Sequence, residues 1–352
     1  MTIKVCALGD FFLAPELFPK RVINFCGNGI DLSVHKMPPG PMVSGEYGDA
    51  IREYSGKEEQ VIELAREADA LLVHIAPISR RVINALPNLK FIGVGRGGPV
   101  NVDQAAAIER NIFLANAPGR NAGAVAEFTV GAIISTSRKI AMGIQEMKAN
   151  EWSRTHYHYE NTGLELSEMT IGLIGYANIG KIVGRLLSAF GAKVIFFDPY
   201  QELMQEDKKL GIMKVGLDEL CRSSDTVSFH TRLTDDTANM CDESFLSKLK
   251  PNCLLINTAR GELINQKSLL KYLKLGSVGG VFLDTFNPEP PMIDDPLIHH
   301  PKVFSTPHIA GASKTSAHVA VDAISKALAG WIHDNLSLIH ISEPTRLLSI
   351  SY

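Results

Sequence analysis

Two groups of residues in this chain have the types and spacing to do chemistry. The first is GLIGYANIGKIVG, Gly172 to Gly184, with Gly175 and Gly180 in place and Ala177 where a middle glycine would complete a Gly-x-Gly-x-x-Gly turn. Such a turn between a strand and a helix cradles a dinucleotide pyrophosphate, because the first amides of the helix point at the ligand. The second group is scattered: Arg260 in LLINTARGELI, Asp284 and Glu289 in GGVFLDTFNPEP, and His308 in STPHIAGAS. A histidine gives or takes a proton near neutral pH, and an arginine offers a fork of donors to a carboxylate. Each also has a plainer reading. Arg260 would pair with a neighbouring carboxylate, Glu289 would be a solvated loop residue, and His308 would start a helix. Taken one at a time, the residues favour the plainer readings.

These groups need elements to position them. TIGLIG reads as a buried strand that delivers Gly175 to a tight turn. The following helix has an apolar face of Ile179, Val183, Leu186, Leu187 and Phe190 and stops at Gly191, a left-handed C-cap. The next strand, KVIFFD, ends in Asp198, eighteen positions after Gly180. A carboxylate there accepts from the adenosine ribose hydroxyls and repels a 2′-phosphate, so NAD is expected over NADP. The methyl of Ala177 takes space the pyrophosphate would use. Overpacking costs about 1–3 kcal/mol where nothing relaxes, so weaker NAD binding than with glycine is expected. Arg260 and Asp284 each lie just past the carboxyl end of an apolar run, where ligands gather in open α/β sheets.

The rest of the chain alternates in the same way. IKVCALGD, ALLVHIA and LKFIGVG are strand candidates in the first third; TVSFH, CLLINTA and VGGVFLD join TIGLIG and KVIFFD later. EEQVIELAREAD has helical spacing at Val61, Leu64, Ala65 and Ala68, and one long helical stretch is expected from Asn121 to Trp152. THYHYENTGLELSEM reads as a loop. Strands alternating with helices indicate parallel sheets covered on both faces, and 352 residues suggest two such units.

Composition narrows the function classes. The chain is 45% hydrophobic and 21% charged with a net charge of −3, and no basic run favours nucleic acid or an anionic membrane. Its mean hydropathy of +0.05 is ordinary for a globular protein. The five cysteines are odd in number, scattered, and without a Cys-x-x-Cys pair. That pattern suits a reducing cytoplasm and speaks against a disulfide framework or a structural zinc. His156 and His158 lie one residue apart with no third ligand in reach by sequence, so no metal is expected. MTIKVCALGD reads as a strand and not as a leader. One segment stands apart: LSLIHISEPTR, Leu336 to Arg346, matches the translation of a transposase-type sequencing adapter. Residues 336–352 are therefore read as a non-native tail, with the natural chain expected to continue differently after about Asn335.

In order along the chain, GLIGYANIG, FFDPY, VSFHTRLT, LLINTARGELI, GVFLDTFNPEP and TPHIAG resemble the D-isomer-specific 2-hydroxyacid dehydrogenases, from about residue 3 to 335. These include phosphoglycerate, formate and glyoxylate/hydroxypyruvate enzymes. The resemblance implies two doubly wound, Rossmann/flavodoxin-like α/β domains, with an NAD-binding domain (121–307) inserted into a substrate domain (1–120 and 308–335). The last helix, Ser313 to about His333, would pack back on the first domain. It implies that Arg260, Glu289 and His308 form the catalytic set, and that Asp284 accepts from the nicotinamide carboxamide. Gly175, Tyr176, Ala177, Asn178, Ile179, Gly180, Asp198, Pro199, His230, Thr258 and Ala259 would line the cofactor. In VGRGGPVNVD, the amides of Gly97, Gly98 and Val100 would hold the substrate carboxylate, with Pro99 removing one donor; Asn101 and Arg96 would reach the pocket, the alternative for Arg96 being to cap a strand end. His74 and Pro77 in VHIAPIS suggest an unphosphorylated or sugar-derived acid. A homodimer through the cofactor domain is expected, and the aromatic stretch RTHYHYENTG reads as a solvated or dimer-contact loop, the alternative being that His156, Tyr157, His158 and Tyr159 overhang the cleft. The implied activity is NAD-dependent interconversion of a 2-oxo acid and a D-2-hydroxy acid. The alternatives are a NAD(H)-sensing, corepressor-like binding protein of the same fold, and formate oxidation.

Overall fold

The computed structural model describes residues 2–337, with side chains as far as His333; the adapter-like reading falls almost wholly outside these residues. The chain divides into two compact units. Residues up to Asn121, joined by the segment from Ala312, form one; Ala122–Gly311 form the other. The resemblance implies a return at His308, whereas here the return is at Ala312, so His308 groups with the central unit.

The terminal unit has a five-stranded parallel sheet: β1 (Ile3–Gly9), β2 (Ile30–Lys36), β3 (Ala70–Val73), β4 (Phe91–Val94) and β5 (Phe113–Asn116). Their order is β2-β1-β3-β4-β5, so the winding direction reverses between β1 and β3. Both faces are covered. Leu71, Val73, Ile92 and Val94 pack with Val61, Val82 and Ile83 on one face. Val5, Leu72 and Phe91 pack with Phe18, Val22, Val321 and Ile324 on the other. The helix Lys314–Ser337 thus packs on this sheet beside the helix Phe18–Cys26.

The central unit has seven parallel strands: β6 (Thr170–Ile174), β7 (Lys193–Phe197), β8 (Met213–Lys214), β9 (Thr226–Phe229), β10 (Cys253–Asn257), β11 (Val278–Leu283) and β12 (Val303–Ser305). Their order is β12-β11-β10-β9-β6-β7-β8, with the reversal between β6 and β9. The inner strands are buried on both faces, as the unbroken apolar runs require.

Four strands go beyond the sequence reading: β2, β5, β8 and β12. The long helix expected from Asn121 to Trp152 is two, Ala122–Ser137 and Ile140–Lys148, parted at Lys139, whose φ of 55° is left-handed. The helix from Glu58 is shorter than its spacing suggests and stops at Leu64. Phe190, expected on the packed face of the Asn178–Ala189 helix, lies just past its end and is 54% exposed.

Candidate active site

The glycine turn follows β6 directly. Gly175 has a φ of 93°, and a Cβ there would come within 2.7 Å of the His230 and Thr231 backbone. A Cβ on Gly180 would sit 2.2 Å from the Gly175 carbonyl oxygen. Both positions therefore require glycine, one for its conformation and the other for the close approach of helix to turn. Ala177 is exposed, with an ordinary negative φ of −85°, and precedes the helix Asn178–Ala189 without a side-chain cap. The amides of Ala177, Asn178, Ile179 and Gly180 donate to nothing among the described residues. Four orphan donors at the start of a twelve-residue helix fit a pyrophosphate.

Tyr176 contributes only its backbone to this turn. Its ring is fully buried and stacks on Phe196 at 3.9 Å, and Gly184 leaves room for its edge. Asp198 has a structural task beyond the one expected. One carboxylate oxygen accepts from Tyr176 N at 2.8 Å, and the other accepts from Tyr200 N and Gln201 N at 2.8 and 3.1 Å. Three backbone donors thus lock the turn to the loop after β7. Pro199 follows, exposed, in that loop. His230, at the end of β9, meets Ser228 Oγ at 3.0 Å, and burial pushes its pKa down to about 3. Thr258 and Ala259 follow β10: the Thr258 hydroxyl meets that of Thr129 at 2.8 Å, and Ala259 N donates to Asn257 Oδ1.

Beyond β10 and β11 lie the titratable groups. Arg260 is exposed, and its carbonyl accepts from Asn257 Nδ2 at 2.7 Å. Gly261 is packed so tightly under Phe286 that a Cβ would lie 2.1 Å from its carbonyl carbon. That contact ties the Arg260 loop to the loop carrying Glu289. His308 Nδ1 meets Glu289 Oε2 at 2.8 Å, and Glu289 Oε1 accepts from Phe286 N at 3.0 Å. The hydrogen bond to Glu289 raises the His308 pKa against the opposing effect of burial. Burial works against a charged Glu289, yet the bonds from His308 and Phe286 N overcome it and hold its pKa low. His308 has a φ of 53°, an uncommon conformation for a non-glycine residue and one that surrounding bonds must hold.

Asp284 supplies those bonds, a structural task beyond the expected one. It is 1% exposed. Its carboxylate accepts from Thr306 Oγ1 at 2.6 Å, Ile309 N at 2.8 Å and Ala310 N at 2.8 Å, while its carbonyl accepts from His308 N at 2.9 Å. A carboxylate enclosed in this way holds the histidine segment.

In the terminal unit, the loop after β4 presents a row of open amides. Gly97, Gly98, Val100 and Asn101 N donate to nothing among the described residues, and Asn116 Nδ2 holds the loop through the Gly97 carbonyl at 2.7 Å. Free N–H groups in a loop of this kind suit a carboxylate. Three side chains here have other occupations. Arg96 is engaged by Glu53, through the carbonyl at 2.7 Å and through the carboxylate. Asn101 is fully buried and donates to Ala76 O at 2.8 Å. His74 is buried against Asp10, with Nδ1 to Oδ2 at 2.8 Å. Sequence reasoning missed Asp10 and Arg120, which reach His74 from distant parts of the chain. His156 pairs with Glu146 at 2.7 Å within the central unit.

The chain is similar to known proteins along most of its length. Residues 130–310 match the family model described as "D-isomer specific 2-hydroxyacid dehydrogenase, NAD binding domain". A Bacillus subtilis protein whose name places it among the 2-hydroxyacid dehydrogenases, YoaD, is 36% identical over 280 residues, covering 78% of this chain and 80% of its own. A D-3-phosphoglycerate dehydrogenase of Methanocaldococcus jannaschii is 33% identical over 285 residues, 79% of this chain but 53% of the relative, so the chain spans about half that enzyme's length. Among solved structures, a NAD-dependent formate dehydrogenase of Staphylococcus aureus in complex with NAD superposes with a TM-score of 0.73 at 25% identity, covering 94% of this chain and 95% of its own. The two parallel α/β sheets, the glycine turn after β6 and these matches make the chain a member of the D-isomer specific 2-hydroxyacid dehydrogenase family, with NAD as its cofactor.

Proposed function

We propose that the protein interconverts a 2-oxo acid and a D-2-hydroxy acid, with His308 as acid–base, Glu289 as its orienting partner and Arg260 as the carboxylate anchor. The observation that carries this reading is the His308–Glu289 pair, held in a left-handed conformation by Asp284 in the same unit as the glycine turn. Gly175, Ala177 to Gly180 and Asp198 would hold the cofactor, which supplies the hydride. With Nδ1–H directed to Glu289, the Nε2 atom of His308 is the one that exchanges a proton with the substrate oxygen. Glu289 fixes that tautomer and stabilises the imidazolium. Arg260 donates to the substrate carboxylate and to the oxygen on which charge develops.

The test is NADH oxidation with glyoxylate, hydroxypyruvate, phosphohydroxypyruvate and sugar-derived 2-oxo acids. Turnover of at least one is expected, and His308→Ala or Arg260→Ala should lower kcat/KM by about 10²–10⁴-fold. Wild-type turnover in either variant would overturn the assignment. A corepressor-like binder would bind NADH and turn over none of the acids. The protein is further proposed to work as a homodimer through the central unit, where the helix Ile140–Lys148 exposes Ile140, Ile144 and Met147 along one stripe.

A further inference from the structure

Beneath the glycine turn, two buried polar atoms of opposite type stand side by side and unbonded. Tyr176 begins the turn after Gly175, and its amide is tied to Asp198 at 2.8 Å. Its side chain runs into the core of the central unit, where the ring stacks on Phe196. The phenol oxygen lies against the helix Asn178–Ala189, since a Cβ on Gly184 would be 3.4 Å from it. The next residue on that helix, Arg185, donates from Nε to Asp207 Oδ1 at 2.7 Å. Asp207 sits in the short helix Gln205–Lys209 and is 0% exposed. Its second oxygen, Oδ2, is shielded from solvent and has no hydrogen-bond partner among the described residues. The same holds for the Tyr176 hydroxyl. Burial, and after it the charge of Asp207, raises the pKa of the phenol, so the hydroxyl keeps its proton at neutral pH.

A buried donor or acceptor left unpaired is costly, and here one atom is a donor and the other an acceptor. The carboxylate is fixed from its far side by Arg185. The phenol rides on the turn. Tyr176 is followed directly by Ala177 to Gly180, whose amides donate to nothing among the described residues. An acceptor that draws those amides moves Tyr176 with them. A packing role for the ring would need no oxygen, because phenylalanine fills the same space without the cost of an unpaired hydroxyl. Asp198 ties the Tyr176 backbone and Asp207 faces its hydroxyl, so two carboxylates from the segment after β7 bracket one residue of the turn.

We propose that Tyr176 and Asp207 are positioning residues for the cofactor: with the pyrophosphate on the turn amides, the Tyr176 hydroxyl donates to Asp207 Oδ2, and this bond holds the turn in its binding conformation. The inference rests on the glycine turn as the NAD site and depends on neither the reaction nor its substrate.

The test is the dissociation constant of NADH for the full chain, read from the fluorescence of the bound cofactor, together with the urea midpoint of the same preparation. Tyr176→Phe removes one oxygen and keeps the ring. It should weaken NADH binding about threefold to tenfold, the range for one hydrogen bond. Its midpoint without cofactor should not fall, because the structure gives the hydroxyl no bond to lose. ADP-ribose, which carries the pyrophosphate without the nicotinamide, should lose affinity by the same factor in calorimetric titration. In an Asp207→Ala background, the effect of Tyr176→Phe on NADH should vanish. An unchanged NADH constant in Tyr176→Phe overturns the proposal, and so does a loss seen with NADH and absent with ADP-ribose. A lowered midpoint with unchanged affinity would leave the hydroxyl a structural role alone and overturn it as well. The same loss in the Asp207→Ala background would refute Asp207 as the acceptor. If Asp207→Ala does not fold, Tyr176→Phe decides by itself.

Discussion

At the scale of single residues, the proposed proton exchange at His308 Nε2 depends on two other atoms 2.8 Å apart, His308 Nδ1 and Glu289 Oε2. Glu289 raises the His308 pKa above its ordinary value of about 6.5. Reduction of a 2-oxo acid needs the protonated imidazole, so its rate should fall as pH rises through that raised value. Glu289→Gln removes the charge and the preferred acceptor, and the falling limb of the kcat/KM profile should move to lower pH. A limb left in place would mean that another group sets it. The same sign holds for stability. What the pair contributes is fully present below the unfolded histidine pKa and is lost as pH rises through the folded one. The residue types were legible in the sequence, with Arg260, Glu289 and His308 all singled out. Their partners were not, because Asp284 meets His308 and its neighbours across more than twenty positions of chain.

At the scale of elements, the ends of strands do the positioning. β11 ends one residue before Asp284, whose carboxylate gathers Thr306, Ile309 and Ala310 and so sets the backbone of His308. Asp284→Asn replaces one acceptor oxygen with a donor that faces N–H groups. It should lower the unfolding free energy by about 1–3 kcal/mol, read by urea denaturation, and should reduce turnover with it. An unchanged midpoint would argue against this role. The β6–turn–helix–β7 unit was legible because its strands are unbroken apolar runs and its glycines are required by contact. β2, IDLSVHK, was not, because it is half exposed along its length and breaks the run with charged residues. β8 and β12 have two and three residues, too few for any periodicity to show. The break at Lys139 has no breaker residue to announce it. Neither proline nor glycine stands there, and the left-handed turn is taken by a lysine.

At the scale of the whole molecule, two parallel sheets each bury both faces, and among the described residues no helix is long and apolar enough to cross a membrane. The central unit nevertheless leaves large apolar groups outside, with Trp152 at 78% and Tyr157 at 89% exposure near the Ile140, Ile144, Met147 stripe. Isolated exposed apolar residues are ordinary, and the proposed dimer would cover this stripe. Light scattering should give twice the chain mass, and Ile144→Asp with Met147→Asp should give a single chain of unchanged helical content. A wild-type monomer at micromolar concentration would remove the dimer proposal.

The amino-acid sequence by itself determined the α/β class and the glycine turn with its dinucleotide, which follow from apolar runs and spacing, both of them local; the three residues proposed for the reaction were singled out by resemblance to the family. Only the tertiary structure decided what each carboxylate does. Asp198 holds a turn, Asp284 holds the segment of His308, and Asp10 holds His74. A buried carboxylate takes its role from whichever donors enclose it, and those donors come from distant strand ends that local sequence does not bring together.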